Sequence, residues 1–254
     1  MTEEEQKHAG SELYDENFYK SIKEASKISA QSLLPEILKF MRPKTVIDIG
    51  CGAGSWLAVW QELGAEVVGV DGDYVDREQL MIDEKFFRPM NLEERINIDE
   101  RFDLAMTMEV AEHLSPKRAD SFVEDLTKLS DVILFSAAIP GQGGTNHVNE
   151  QWQSYWQAKF LNCGYVGVDY LRSKTWYNAG IGSIYLSNTL IYVKRSELYR
   201  YPELEKYYLE HRDSMVVDVV HPLTWINWMS NLINTQNQLI AKINELTNSA
   251  EKSE

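Results

Sequence analysis

The chain is predicted to be an α/β protein with one parallel-rich sheet, helices on both faces and a helical tail. Three observations predict this. Short apolar, β-branched runs alternate with stretches of helical spacing as far as about residue 195. The run Thr45-Val-Ile-Asp-Ile49 opens directly into Gly50-Cys-Gly-Ala-Gly54, and Trp56, Leu57, Val59, Trp60 and Leu63 then follow at helical spacing. A strand–glycine turn–helix lets the backbone approach a ligand with no Cβ in the way, at the point where doubly wound folds bind nucleotide-like cofactors. Finally, 254 residues suit one full α/β domain with appendages.

Composition narrows the function. Hydrophobic content of 44% and charged content of 25% are ordinary for a globular protein with a proper core. No apolar run approaches the roughly 18 residues that span a bilayer, and the acidic start Met1-Thr-Glu-Glu-Glu is unlike a secretory signal. Two cysteines, Cys51 and Cys163, cannot form a disulfide framework. The expectation is a cytoplasmic protein with no membrane partner. A net charge of −14, from 25 basic against 39 acidic residues, argues against a nucleic-acid partner.

In chain order, residues 13–40 carry Tyr14, Phe18, Tyr19, Ile22, Ala25 and Ile28 at spacings of three and four, and Leu33, Leu34, Ile37 and Leu38 continue the pattern. This predicts one or two core-packing helices, with Pro35 placed to open the second. A lid covering the cofactor is the functional alternative. Residues 66–71 form a second strand ending on Asp71, 21 positions after Gly50, where a β-α-β unit sets a carboxylate near ribose hydroxyls. Residues 85–90 read as a third strand with Asn91 at its end. Residues 101–108 read as a fourth, running into Glu109-Val-Ala-Glu-His-Leu114 and then Ser115-Pro116, a helix start.

Residues 131–136 are the fifth strand, leading to a glycine-rich loop over 138–146. A helix with Trp152, Tyr155, Trp156 and Phe160 follows, and 165–170 and 189–193 alternate as the last two strands. The segment 171–188 between them reads as a long irregular connection rich in Trp176, Tyr177 and Tyr185. Beyond residue 195 come a tyrosine-rich helical piece, a brief apolar run over 216–220, and a polar helix after Pro222. In that helix Trp225, Leu232, Leu239 and Leu246 recur every seven residues, with Met229, Gln236 and Ile243 offset by four. Such a seam suits packing on the same domain or a short coiled coil in a homo-oligomer. The organisation expected is a helical cap over 1–43, a cofactor-binding core over 44–195 and a helical extension over 196–254.

A glycine-rich turn serves nicotinamide, flavin and S-adenosylmethionine proteins alike. The spacing here is G-x-G-x-G, not the G-x-G-x-x-G that opens a pyrophosphate-binding helix, which counts against a dehydrogenase. Asp48 precedes the turn, where an acid would repel a pyrophosphate but suit an ammonium and a sulfonium. With Asp71 and the segment Phe102-Asp-Leu through Glu109-Val-Ala-Glu-His-Leu114, this resembles the class I S-adenosylmethionine-dependent methyltransferases over roughly residues 25–195. The resemblance implies a three-layer Rossmann-like sheet of seven strands, mostly parallel with an antiparallel last strand. It also implies S-adenosylmethionine as cofactor. Gly50, Gly52 and Gly54 would approach its methionine and ribose portions with Asp48 nearby. Asp71 would accept from the ribose, Asn91 would stand by the adenine, and Met108 and Glu109 would lie at the mouth of methyl delivery.

Methyl transfer from a sulfonium is an in-line displacement, so a hydroxyl acceptor mainly needs alignment and loss of its proton. His147, in Gly143-Gly-Thr-Asn-His-Val-Asn-Glu150, is the leading candidate for the base, with His113 and Glu109 beside it. Alternatively Glu109, Glu112, His113 and His147 form a two-Glu, two-His site for Mg or Mn, as in the small-RNA 2′-O-methyltransferases and the ubiquinone-pathway O-methyltransferases that this spacing resembles. A third reading is that Glu-x-x-Glu-His-Leu only fixes a loop. Trp152, Tyr155, Trp156, Trp176, Tyr177 and Tyr185 flank the methyl end, and the exposed ones among them are expected to stack on an acceptor ring. The segment from Gly143 to Trp156 resembles bacterial methyltransferases of glycan and natural-product assembly. The function expected is O-methylation of a small molecule or sugar hydroxyl. A non-catalytic cofactor-binding scaffold is the alternative, and the intact glycines and Asp71 argue against it.

Overall fold

The computed structural model describes residues 16–251, with side chains over 23–247. Tyr14 and the side chains of Phe18, Tyr19 and Ile22 lie outside the described residues. The elements are α1 (Glu16–Ile37), β1 (Thr45–Ile49), α2 (Ser55–Glu62), β2 (Glu66–Asp71), β3 (Phe87–Pro89), β4 (Leu104–Met108), α3 (Ala119–Leu129), β5 (Val132–Ser136) and α4 (Gln153–Asn162). They continue with β6 (Tyr165–Val168), α5 (Tyr170–Thr175), α6 (Ser183–Asn188), β7 (Leu190–Lys194), α7 (Pro202–His211) and α8 (Pro222–Glu251).

The seven strands form one sheet in the order β3-β2-β1-β4-β5-β7-β6. β1 pairs in parallel with β2 and β4, and β4 with β5, whereas β7 runs antiparallel to both β5 and β6. The central strands are buried on both faces, so their sequences read as continuous apolar runs. Alternate side chains feed two cores. Val46, Met106 and Leu134 meet α1 and α2 through Leu33, Leu34, Leu57 and Trp60. Ile47, Ile49, Ala105 and Ile133 meet α3 and α4 through Phe122, Leu126, Trp156 and Phe160. Phe160 also stacks on Tyr192 of β7 at 3.8 Å between ring centroids.

Three expectations change. Pro35 does not open a second helix; it sits in the last turn of a single α1. A proline there removes one hydrogen bond near a terminus that is losing its bonds anyway. The connection 171–188 is not irregular but holds two short helices, α5 and α6. Arg172, almost wholly buried, pairs with Asp169 at 2.7 Å and donates to the Val217 carbonyl at 2.8 Å, so α5 is pinned at its start. Ser115 does not cap the following helix with its side chain. Its hydroxyl donates to Glu93 at 2.8 Å, and a 3-10 turn over Pro116–Arg118 leads into α3.

The apolar run 216–220 is a strap, not a strand: the Val217 and Val219 carbonyls accept from Arg172 and Gln153. At its end the His221 ring starts α8. The Leu223 amide donates to Nδ1 at 3.2 Å, which leaves Nε2 as the proton donor to the Trp176 carbonyl at 2.8 Å. Among the described residues no helix is long and apolar enough to cross a membrane.

Candidate active site

A cleft of about 1020 Å³ opens at the carboxyl ends of β1, β2 and β4, where the strand order reverses. Gly50, Gly52, Asp71, Asn91 and Glu109 line it, together with Tyr74, Val110, His113 and Asn146. Gly50, Gly52 and Gly54 all have positive φ, at 82°, 53° and 78°. Their surroundings differ. A Cβ on Gly50 would lie 2.4 Å from Val110 and one on Gly54 would lie 3.1 Å from Ile82, whereas one on Gly52 would meet no protein atom within 4 Å. Gly52 therefore keeps its bare face toward the open cleft, while Gly50 and Gly54 also serve packing.

Asp71 binds the turn to the next strand. Its Oδ2 accepts from the Gly52 amide at 2.7 Å, and its Oδ1 accepts from the Gly72 amide and the Tyr74 hydroxyl, each at 2.6 Å. A carboxylate offers about four acceptor positions, so Tyr74 holds one that a ligand hydroxyl would need. The Tyr74 ring lies over Gly72, where a Cβ would come within 2.0 Å of it. Asp48 is buried beneath the turn, and its Oδ1 has no hydrogen-bond partner. Burial, reinforced by the Asp71 charge, pushes its carboxyl well above the usual range. Asn91 lines the cleft but spends its amide locally, accepting from the Glu93 amide and donating to Glu94. Met108 is buried in the core below the cleft, its sulfur 3.9 Å from the Ser136 hydroxyl.

A second cavity of about 320 Å³ adjoins the first and shares Glu109 and His113 with it. Two loops meet here because the Glu112 carbonyl accepts from both the Val148 and Asn149 amides, at 2.9 and 3.0 Å. The His113 and His147 rings consequently sit edge to face, 4.7 Å apart. Glu150 organises the glycine-rich loop: its carboxylate accepts from the Gly141 amide at 2.6 Å, the Gly143 amide at 2.8 Å and the His147 ring at 2.8 Å. Bonding at Nδ1 leaves His147 Nε2 facing Gly144, where an added Cβ would be 2.3 Å from it. Desolvation, and secondarily the His147 charge, hold His113 below the ordinary imidazole range.

Glu109 adopts a left-handed backbone at φ 57°, rare for a residue with a side chain. Its carboxylate accepts from Gln142 at 2.8 Å and Asn188 at 3.1 Å, and burial pushes its pKa up against those bonds. Glu112 is fully buried, and neither carboxylate oxygen has a partner. Burial and the nearby Glu109 charge push it well above the usual range. Glu112, His113 and His147 place one ligand atom each within 4.8 Å of one another. Glu109 stands outside that group, tied to its two amides.

The sequence missed Tyr74, Gln142 and Asn188, none of which lies in a recognisable motif. It also missed the start of α8, whose Thr224, Asn227, Trp228 and Asn231 line the second cavity. The aromatic residues expected to face an acceptor do not. Trp156 is in the core, Tyr185 packs edge-on against Trp56, and none of the six lines either cavity.

Residues 23–130 match the family model described as a methyltransferase domain. Among solved structures, magnesium protoporphyrin IX methyltransferase from Synechocystis PCC 6803 with bound S-adenosylmethionine superposes with a TM-score of 0.51. The alignment has 16% identity and covers 68% of this chain and 80% of that one. Residues 23–130 thus form a methyltransferase domain, and the sheet they belong to has the fold of the class I S-adenosylmethionine-dependent methyltransferases. The seven-stranded sheet, mostly parallel with an antiparallel β7, is the one the sequence resemblance implied. The methyltransferase domain is also 32% identical over 122 residues to the ubiquinone biosynthesis O-methyltransferase of Rhodopseudomonas palustris strain BisB18, covering 43% of this chain and 42% of that relative. The counterpart in Bradyrhizobium diazoefficiens is 41% identical over 78 residues, 27% of this chain and 29% of that one. The chain thus matches less than half the length of these curated relatives.

Proposed function

We propose that the protein transfers a methyl group from S-adenosylmethionine to a hydroxyl of a small molecule or sugar, with His147 as general base. The observation that carries this is the pair of adjoining cavities meeting at Glu109 and His113, with the His147–Glu150 pair on the wall of the smaller one. The similarity to O-methyltransferases supports oxygen as the acceptor atom. The larger cleft fits the cofactor: Asp48 is a buried carboxylate with an unpartnered oxygen, suited to a cation, and Gly52 leaves open space above the turn. Asp71 would take the ribose hydroxyls, Gly50 and Gly54 would shape the turn, and Asn91 would flank the base.

When bound, S-adenosylmethionine supplies an electrophilic methyl group on a sulfonium. His147 would take the proton of the acceptor hydroxyl at Nε2. Glu150 fixes the ring and balances the imidazolium charge. His147→Ala should lower turnover by roughly 10²–10⁴-fold with S-adenosylhomocysteine affinity unchanged. A fully active variant removes His147 as the base.

One observation favours a second reading. The orphaned Glu112 carboxylate beside His113 and His147 is a donor set that fits Mg or Mn. Such an ion would lower the pKa of a bound hydroxyl. Activity that survives exhaustive chelation dismisses this reading. Two unpaired cysteines fit a reducing, cytoplasmic setting.

We assign the distal part of α8 to self-association with a second copy of the chain. Leu232, Ile233, Leu239, Ile240 and Ile243 are each about half exposed or more on that helix, and their heptad spacing suits an identical helix. Light scattering should find a dimer or larger assembly that Leu239→Glu dissociates. A monomeric wild type contradicts the assignment.

A further inference from the structure

The start of α8 is built into the smaller cavity rather than hung from the domain. Three devices hold it there. Thr224 and Ser187 hydroxyls lie 3.2 Å apart in the interior, and the His221 amide donates to the same Ser187 hydroxyl at 2.8 Å. The Trp228 indole abuts Gly141, where a Cβ would come within 1.8 Å of the ring. Gly141 is the residue whose amide binds Glu150. The helix is therefore keyed to the loop that carries His147, and the two must be placed together.

The groups this helix adds are chemically specific. Asn227 and Asn231 lie one helical turn apart and line the cavity together with Trp228. Among the described residues neither side-chain amide has a hydrogen-bond partner, so both are available to a ligand. Gln142 and Ser183 add further neutral polar groups from the opposite wall. Among the described residues no lysine or arginine lines the cavity, while Glu109 and Glu112 do. A phosphate, sulfate or carboxylate would meet no fixed positive charge there, only the His113 and His147 rings. An indole edged by amides instead matches a ring that is apolar on its face and hydroxylated at its rim.

We propose that the first turns of α8 form the acceptor subsite, with Trp228, Asn227 and Asn231 selecting an uncharged, polyhydroxylated ring such as a single sugar unit. This rests on the O-methyltransferase reading above and names its substrate class. The subsite lies more than 100 residues from the cofactor turn in sequence, which is why the cofactor motif carried no information about it.

The test is a ligand-observed NMR titration of the full chain with S-adenosylhomocysteine present. The probes are methyl glycosides of common hexoses, the matching hexose 1-phosphates, and catechol. Saturable binding of at least one neutral glycoside is expected, with none for its phosphate. Asn231→Ala and Trp228→Ala should each weaken that binding at least tenfold. Tyr199→Ala, at an exposed ring outside the cavity, should not. Failure of all neutral glycosides, binding of catechol alone, or wild-type affinity in Asn231→Ala and Trp228→Ala would each overturn the subsite. Calorimetry of S-adenosylhomocysteine on the same samples separates the two claims. Intact cofactor binding without glycoside binding sinks only the subsite, whereas loss of cofactor binding in the wild type sinks the methyltransferase reading itself.

Discussion

The two halves of the site are built by different means. The cofactor half lies within residues 48–74 plus the cleft's far rim, and its geometry is made of backbone: three left-handed glycines, a strand end and an Asp71 that accepts from two amides. The acceptor half is made of side chains from four separated segments: Glu109, the loop carrying Gln142 and His147, Asn188 and Asn231. A backbone-made site tolerates change in its side chains but not in its glycines. The side-chain-made site should be sensitive at every hydrogen bond and should lose turnover without losing the cofactor.

The comparison can be broken first at Gly144→Ala. The added Cβ would stand where His147 Nε2 now lies, so the ring must move. A misplacement of about 1 Å is enough to cost roughly 10²-fold in rate. Single-turnover kinetics should show a loss of that order with cofactor affinity intact, and a wild-type rate would show that the ring position does not matter.

Asp48→Asn probes the cofactor half by stability. Because burial and Asp71 raise the folded-state pKa of Asp48 above its unfolded value, its contribution is present below the unfolded pKa and is lost as pH rises through the folded one. Urea unfolding should therefore find Asp48→Asn gaining on the wild type from pH 5 to pH 8. An unchanged difference across that range would mean that Asp48 is ionised and satisfied in the fold.

The same contrast decides what could be read from the sequence. The strands, the glycine turn and Asp71 were legible because each depends on near neighbours: a β-branched run, a G-x-G-x-G spacing, an acid one β-α-β unit later. His113 and His147 were legible as candidates because both follow strands that pair side by side. Their partners were not. That Glu150 would hold the His147 ring depends on the fold of the glycine-rich loop. Asn188 reaches Glu109 across 79 positions, a separation that leaves no local pattern. Trp228 was hidden differently. The heptad repeat of α8 drew attention to Trp225 and Leu232, while the adjacent face, at Asn227, Trp228 and Asn231, is the one that meets the site. Composition could not tell the core indole of Trp156 from one that lines a cavity.

The most direct test of the division is one calorimetric series with S-adenosylhomocysteine on the wild type, Gly52→Val and His147→Ala. Gly52→Val places a branched side chain in the open face of the turn at a left-handed position, whereas His147→Ala leaves that half untouched. The account predicts one-to-one binding to the wild type and His147→Ala with equal affinity, and none detectable to Gly52→Val. Equal binding to all three variants, or no binding to the wild type, would contradict it.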